Sequence, residues 1–443
     1  MKTLYSTSLI FVFSFFIFSF NRIEKNDSGT VKTLTNSYNH TTDDYSDPLV
    51  DNNVQNAFFK TYNDLKKQQN DVISIYKNKS YETLLDTLIK PKRLEKNDEV
   101  LFNQYYKLQN ALKKYQKIEK ENNWKPITFA SPYKDIRPDE KSITVAQIRN
   151  RLFVMGDLKN DSKSDFYDQE LMDGVMKYKL RNGLKPNYII NEDHIKDLNT
   201  PIADKIKTLM INMERCRWIS PQLLKDKEYI MVNVPSFELV YVKNGKIELV
   251  SKVFVGSPLT ETTIFNGNIE KIVFSPYWTV PQSIVDNELK SKIAADENYL
   301  TEHNMEIING QVRQKPGPEN SLGLVKFIFP NPDDIYMHDT PAKTLFDFEK
   351  RTFSHGCVNV SKAKELAIAM LKDYPEWTEE RINKAMDGTE ETTFKLPNKV
   401  PIYICYFTSW VNESGEVSFF QDVYDKDGDL NKVLFPENAV ADK

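Results

Sequence analysis

One short stretch of the chain, residues 338–360, reads HDTPAKTLFDFEKRTFSHGCVNV and holds two of the 5 histidines and one of the 3 cysteines. These residue types point to thiol chemistry. A cysteine attacks a carbonyl as its thiolate, and it needs a base to take the thiol proton. Histidine titrates nearest to neutral pH, and His338 and His355 are the candidates. Gly356 lets the backbone turn tightly, so that the amides at 355–357 can face a developing oxyanion. Asp339, or a backbone carbonyl beside it, would orient the His338 imidazole, as in any nucleophile–base–orienter set. Other readings stand beside this one. A histidine at a strand end is commonly a hydrogen-bonded structural residue, and Ser354-His355-Gly356-Cys357 could contribute to a metal site. Against metal, no second ligand pair has zinc spacing. Against a redox centre, there is no Cys-x-x-Cys. Asn359 suits an Asx turn and a substrate contact equally.

Specific elements must position these groups. His338 closes a strand-like run that begins at Ile335, and this run could lie beside the cysteine loop. A helix is expected after Cys357, capped by Ser361 and running through Lys372 with Leu366, Ala367, Met370 and Leu371 inward. Its N-terminus would lend positive potential to Cys357 and favour thiolate. Period-two patterns begin at Tyr229. Strands are expected over 229–234, 238–243, 246–255, 269–274, 325–329, 335–338, 400–411 and 417–420, with Asn244-Gly245 as a hairpin turn. Residues 284–300 look helical, and 311–320 form a Pro/Gly loop of the length a lid would use. Tyr277 and Trp278 in SPYWTVP are candidate substrate contacts, together with Ser354 and Asn359.

Upstream, the patterns are helical. Leu84, Leu85, Leu88 and Ile89 share a face. Residues 101–121 carry a stripe of Tyr105, Leu108, Leu112 and Tyr115. Residues 142–199 read as a three-helix unit with helices near 145–155, 169–181 and 192–198, and Gly183 as a left-handed cap. A further helix spans about 203–217. The expected organisation is therefore α+β: a helical N-terminal scaffold over 51–227 with the three-helix module at about 142–200, a mostly β catalytic domain over 228–425, and a polar, extended tail over 426–443.

Length and charge agree with this reading. A chain of 443 residues exceeds one ordinary core, so two or three domains are expected. Its net charge of −4 argues against nucleic acid as a partner. Residues 1–20 carry one lysine and an apolar run from Leu9 to Phe20, followed by a polar segment over 21–50 that reads as a flexible linker. The leader is either a secretory signal peptide or an uncleaved N-terminal anchor, because no clean small-x-small cleavage site follows it. Either way the body is expected outside the cytoplasm, periplasmic or in the cell envelope. With an odd number of cysteines, at least one thiol stays unpaired within the chain. Cys216 and Cys405 lie in apolar or aromatic surroundings and read as packing residues.

His338, fifteen intervening residues and then Ser354-His355-Gly356-Cys357-Val358-Asn359 resemble the signature of the L,D-transpeptidase catalytic domain. The runs VNVPSFELVYVKNGK, SPYWTVP, PGPENSLGLVKFIFPNPDDIYMHDTPAK and VPIYICYFTSW are similar to its large, scaffold-bearing subgroup. The segment RLFVMGDL…GVMKYKLRNGL…LN resembles the peptidoglycan-binding helical module of wall enzymes. The resemblance implies Cys357 as nucleophile, His338 as general base, and oxyanion-hole amides at His355, Gly356 and Cys357. It implies a peptidoglycan stem tetrapeptide as donor, attacked at its third, diamino-acid residue with loss of D-alanine. The amine of a neighbouring stem would resolve the thioester into a 3→3 crosslink. Water or a wall-bound lipoprotein as the other party would make the protein a carboxypeptidase or an attachment enzyme, and the helical module alone would serve a non-catalytic scaffold. No metal or organic cofactor is implied. Other wall-synthesis proteins are conceivable partners, and carbapenems would acylate Cys357. The chain departs from the large subgroup at His355, where serine is common, and at Asn359, where arginine is common.

Overall fold

The computed structural model describes residues 102–130 and 133–435; the leader, the 21–50 segment and the Leu84–Ile89 face lie outside them. The described chain begins with helix α1, Asn103–Lys120, which buries Tyr105, Leu108, Leu112 and Tyr115. The short strands β1 (Asp135–Ile136) and β2 (Ile190–Asn191) pair antiparallel and tie together helices α2 (Ile143–Met155), α3 (Gln169–Arg181) and α4 (Glu192–Leu198). Local chemistry sets these helix ends. Ser142 and Asp168 cap the N-termini of α2 and α3, Asn191 and His194 form a reciprocal capping box on α4, and Gly156 ends α2 at φ +96°. Val145, Ile148, Leu152, Leu171, Val175 and Tyr178 fill this module's own core. Helix α5, Ile202–Arg217, then returns against α1.

A nine-stranded sheet follows. Its strands are β3 (Glu228–Asn233), β4 (Glu238–Lys243), β5 (Lys246–Gly256), β6 (Phe265–Phe274), β10 (Val325–Ile328), β11 (Met337–His338), β12 (Thr352–Ser354), β13 (Val358–Val360) and β14 (Thr392–Cys405). They lie in the order β12-β5-β13-β11-β10-β6-β14-β3-β4, and a further β4–β5 pairing closes the run from β5 to β4 on itself. Alternating residues such as Val253, Val255, Ile272, Phe274, Phe327, Met337, Val358 and Val360 point into the core, joined there by helices α6 (Ala363–Leu371) and α7 (Glu379–Met386). A smaller three-stranded sheet, β7 (Trp278–Thr279), β9 (Gln311–Gln314) and β8 (Met305–Ile308), stands apart with its own core of Val280, Leu289, Tyr299 and Val312. Its helical part runs through Gln282–Ile284, a π-turn at Val285–Leu289, Lys290–Ala295 and Tyr299–Glu302.

The architecture is thus α+β, a helical N-terminal region followed by a mostly β region. Several expectations need correction. The loop expected at 311–320 begins as strand β9, because Gln311–Gln314 pairs with both β7 and β8. Helix α6 starts at Ala363 rather than Ser361, with Lys362 at its N-cap position and no side-chain cap; the Ser361 amide instead donates to the Lys252 carbonyl of β5. The run expected at 400–411 splits, since β14 ends at Cys405 while β15 (Ser409–Val411) pairs with β16 (Val417–Phe419) in a separate sheet. The tail is not extended throughout: Lys426–Leu434 is helix α8, with Leu430 and Leu434 packed on Ile211 of α5. Among the described residues no helix is long and apolar enough to cross a membrane.

Candidate active site

The register of three strands builds the site. β11 lies between β10, antiparallel with Lys326 opposite His338, and β13, parallel with Asn359 opposite His338. Register partners share a sheet face, so Lys326, His338 and Asn359 form one row on the face away from the apolar core. Two residues back along β11 is Tyr336, whose carbonyl accepts from Val358 N–H at 3.1 Å, beside Cys357. The same alternation brings the Tyr336 ring to 5.6 Å from the His338 ring. The nucleophile and base candidates, nineteen positions apart in sequence, thus lie close in the sheet, His338 on β11 and Cys357 immediately before the neighbouring strand β13.

His338 is 6% exposed. Its Nδ1 is 2.5 Å from the Asp339 carbonyl oxygen, which can only accept, so Nδ1 carries the proton and Nε2 keeps its lone pair. Burial above all pushes its pKa down to about 4, against the opposing pull of the Asp339 and Leu322 carbonyls. The imidazole is therefore neutral at neutral pH and can act as a base. The Asp339 side chain is turned elsewhere: Oδ1 meets Lys343 Nζ at 2.5 Å and Oδ2 accepts from Leu324 N–H at 3.0 Å. Of the two orienters considered, the backbone carbonyl occupies the place and the carboxylate does not.

Cys357 is partly buried, and burial pushes its thiol up to about 11, while the Tyr336 amide and phenol act in the other direction as donors to the thiolate. The expected helix terminus is not beside it, because strand β13 separates Cys357 from α6. The cysteine loop is held by its own polar groups. Ser354 Oγ donates to the Cys357 carbonyl at 2.6 Å and accepts from Gly356 N–H at 3.2 Å. Thr262 Oγ1 donates to the Gly356 carbonyl at 2.7 Å, and the Ser257 amide and Thr260 hydroxyl both donate to the Ser354 carbonyl. Gly356 sits at φ +114°, a conformation glycine adopts without strain. The Gly356 amide is thus engaged by Ser354, which leaves the amides of His355 and Cys357 as the donors that need no exchange.

The remaining sequence candidates separate. Ser354 closes the loop and does not present a free hydroxyl. Asn359 is buried in the row beside His338. His355 points outward, 58% exposed, with Nε2 at 3.2 Å from Glu288 in the π-turn of the small sheet's helical part. Trp278 on β7 reaches the Tyr336 phenol. Tyr277 lies farther out, its hydroxyl donating to Glu390 at 2.8 Å and its ring under Arg313 at 4.0 Å. Sequence reasoning passed over Tyr336, Lys326 and Gly323. For Lys326 a signal existed, a lone cation inside the apolar run LGLVKFIFP. Gly323, at φ +62°, leaves room for the Asp339 carboxylate, which a Cβ there would meet at 2.5 Å.

Residues 227–389 match the family model of the L,D-transpeptidase catalytic domain, YkuD. A protein of Haemophilus influenzae, provisionally named an L,D-transpeptidase, is 34% identical over 223 residues, 46% of this chain and 45% of that one. The chain therefore spans about half the length of that curated relative. Among solved structures, an L,D-transpeptidase of Stackebrandtia nassauensis aligns over 62% of this chain and 97% of its own at 13% identity and a TM-score of 0.25. L,D-transpeptidase 3 of Mycobacterium tuberculosis aligns over 40% of this chain and 60% of its own at 12% identity and a TM-score of 0.23.

Proposed function

We propose, from the L,D-transpeptidase catalytic domain matched by residues 227–389, that the chain is a peptidoglycan L,D-transpeptidase acting in the cell envelope, with Cys357 as nucleophile and His338 as general base. The observation that carries the reading is the pairing of β11 with β13, which puts a neutral imidazole on the strand next to the loop that bears the thiol. His338 would take the thiol proton as sulfur attacks the carbonyl of the stem's third residue. The amides of His355 and Cys357 would receive the oxyanion. The imidazolium would then protonate the departing D-alanine amine, leaving a thioester on Cys357. An amine of a second stem, deprotonated by the same imidazole, would resolve it into a 3→3 crosslink. No step calls for a metal or an organic cofactor. The helical module over 142–200 would hold the enzyme on the wall polymer.

Mass spectrometry of the purified chain incubated with disaccharide-tetrapeptide tests this reading. The expected product is a dimer formed with loss of one D-alanine, absent with Cys357→Ala. Tripeptide alone would assign a carboxypeptidase instead, and an unchanged substrate with a folded protein would refute the enzyme reading. His338→Ala should lower the rate by about 10² to 10⁴.

A further inference from the structure

Lys326 takes no part in the steps above, yet it stands opposite His338 on the neighbouring strand and on the same face of the sheet. Its side chain is 18% exposed. An ammonium has three donors to place, and those of Lys326 are placed poorly. Its Nζ is 3.5 Å from the Tyr277 carbonyl and 3.7 Å from Glu391 Oε2, both at the outer limit of a useful contact. Glu391 is itself drawn away, accepting from Tyr277 N–H at 3.2 Å. A half-satisfied cation next to a catalytic base is poorly explained by stability, since burial of an ammonium is unfavourable unless good partners compensate.

Strand order says what it faces. Cys357 leads into β13, His338 is on β11 and Lys326 is on β10, so the Lys326 backbone lies one strand spacing, about 4.8 Å, beyond that of the base on the side away from the thiol, and its Nζ lies near the Tyr277 carbonyl and Glu391. In the reaction proposed above, the scissile carbonyl is at Cys357 and the leaving nitrogen is at His338. The next group along the donor is the carboxylate of the departing residue, two bonds or about 2.5 Å past that nitrogen. We propose that Lys326 binds the C-terminal carboxylate of the donor stem's leaving D-alanine. This rests on the transpeptidase reading and adds to it a residue that selects a free carboxylate at the end of the donor. A charge-assisted contact of this kind also fixes the leaving amine against His338 Nε2.

The test compares a tetrapeptide donor ending in D-alanine with the same donor ending in D-alaninamide. With the unmodified enzyme the amide should lose about 10- to 100-fold in kcat/KM, chiefly through KM. Lys326→Met, which keeps the side-chain length, should process both donors at nearly one rate, while Lys326→Arg should keep part of the preference. Equal rates for the two donors with the unmodified enzyme would overturn the proposal while leaving the transpeptidase reading intact. So would a preference that survives Lys326→Met, or one that follows a second carboxyl on the diamino residue instead. The comparison with the unmodified enzyme needs no variant to fold. Failure of every donor to form a thioester on Cys357 would overturn the transpeptidase reading and this inference together.

Discussion

Burial acts on Cys357 and His338 in opposite directions. It raises the thiol to about 11 and lowers the imidazole to about 4, so both groups are neutral at pH 7. A standing thiolate–imidazolium pair is disfavoured, and on the proposed reading proton transfer would accompany attack on the substrate. The expected outcome is that Cys357 in the free enzyme is nearly inert to iodoacetamide at pH 7, where about 10⁻⁴ of it would be thiolate. The rate should rise about tenfold per pH unit and level off only near pH 11. A plateau near neutrality would show an activated thiolate instead. Tyr336→Phe removes a phenol donor from the sulfur and should move the same curve to higher pH while the melting temperature stays close to that of the parent. The sequence marked Cys357 and His338 as candidate nucleophile and candidate base through their types and spacing. It did not disclose their charge state, because desolvation comes from residues far away in the chain.

At the level of elements, the turn before β10 and the segment after β11 share one device. Gly323 allows Leu324 N–H to reach the Asp339 carboxylate, and the Asp339 carbonyl holds His338 Nδ1. Gly323→Ala would combine a left-handed backbone with a Cβ pressed on that carboxylate. It should cost about 2–3 kcal/mol in denaturant unfolding and also lower the rate of the proposed reaction, since the His338 imidazole would lose its alignment. Much of this scaffold was legible. Helices α3 and α4 and strand β4 follow sequence periodicity and cap chemistry closely, and Asn244-Gly245 makes the hairpin its dipeptide announces. What escaped were elements that only tertiary pairing creates. Strands β12 and β13 are three residues each, too short to show a period, and they exist because β5 receives both. The start of α6 was misplaced for the same reason: the Ser361 amide serves the sheet, which delays the helix to Ala363.

In the molecule as a whole, the helical module is fastened to the segment that joins His338 to Cys357. Glu349, between His338 and Cys357, accepts from Lys185 N–H at 2.7 Å and lies 3.8 Å from His194 Nε2. His194 Nδ1 accepts from Asn191 N–H, so the ring proton is on Nε2 and faces the carboxylate. The His194 ring N–H facing it is the main reason that Glu349 is held down to about 2, with the Lys185 N–H adding to it. A depressed carboxylate contributes its stability above its ordinary range near 4.3 and loses it as pH falls toward 2, so acid should release this contact first in that window. Glu349→Gln should weaken the tether by about 1 kcal/mol, given its partial exposure, and hydrogen exchange should quicken over 339–353 while the module's own helices keep their protection. The two regions also share a core. Leu108, Leu112, Met210 and Met213 of α1 and α5 close over Met231, Tyr403 and Cys405 of the sheet and Phe407 just past it. A catalytic fragment cut near residue 227 would therefore carry a naked greasy surface into solution. Such a fragment would be a colloidal problem before it was an enzymatic one, prone to self-association and dye binding however intact its cysteine loop.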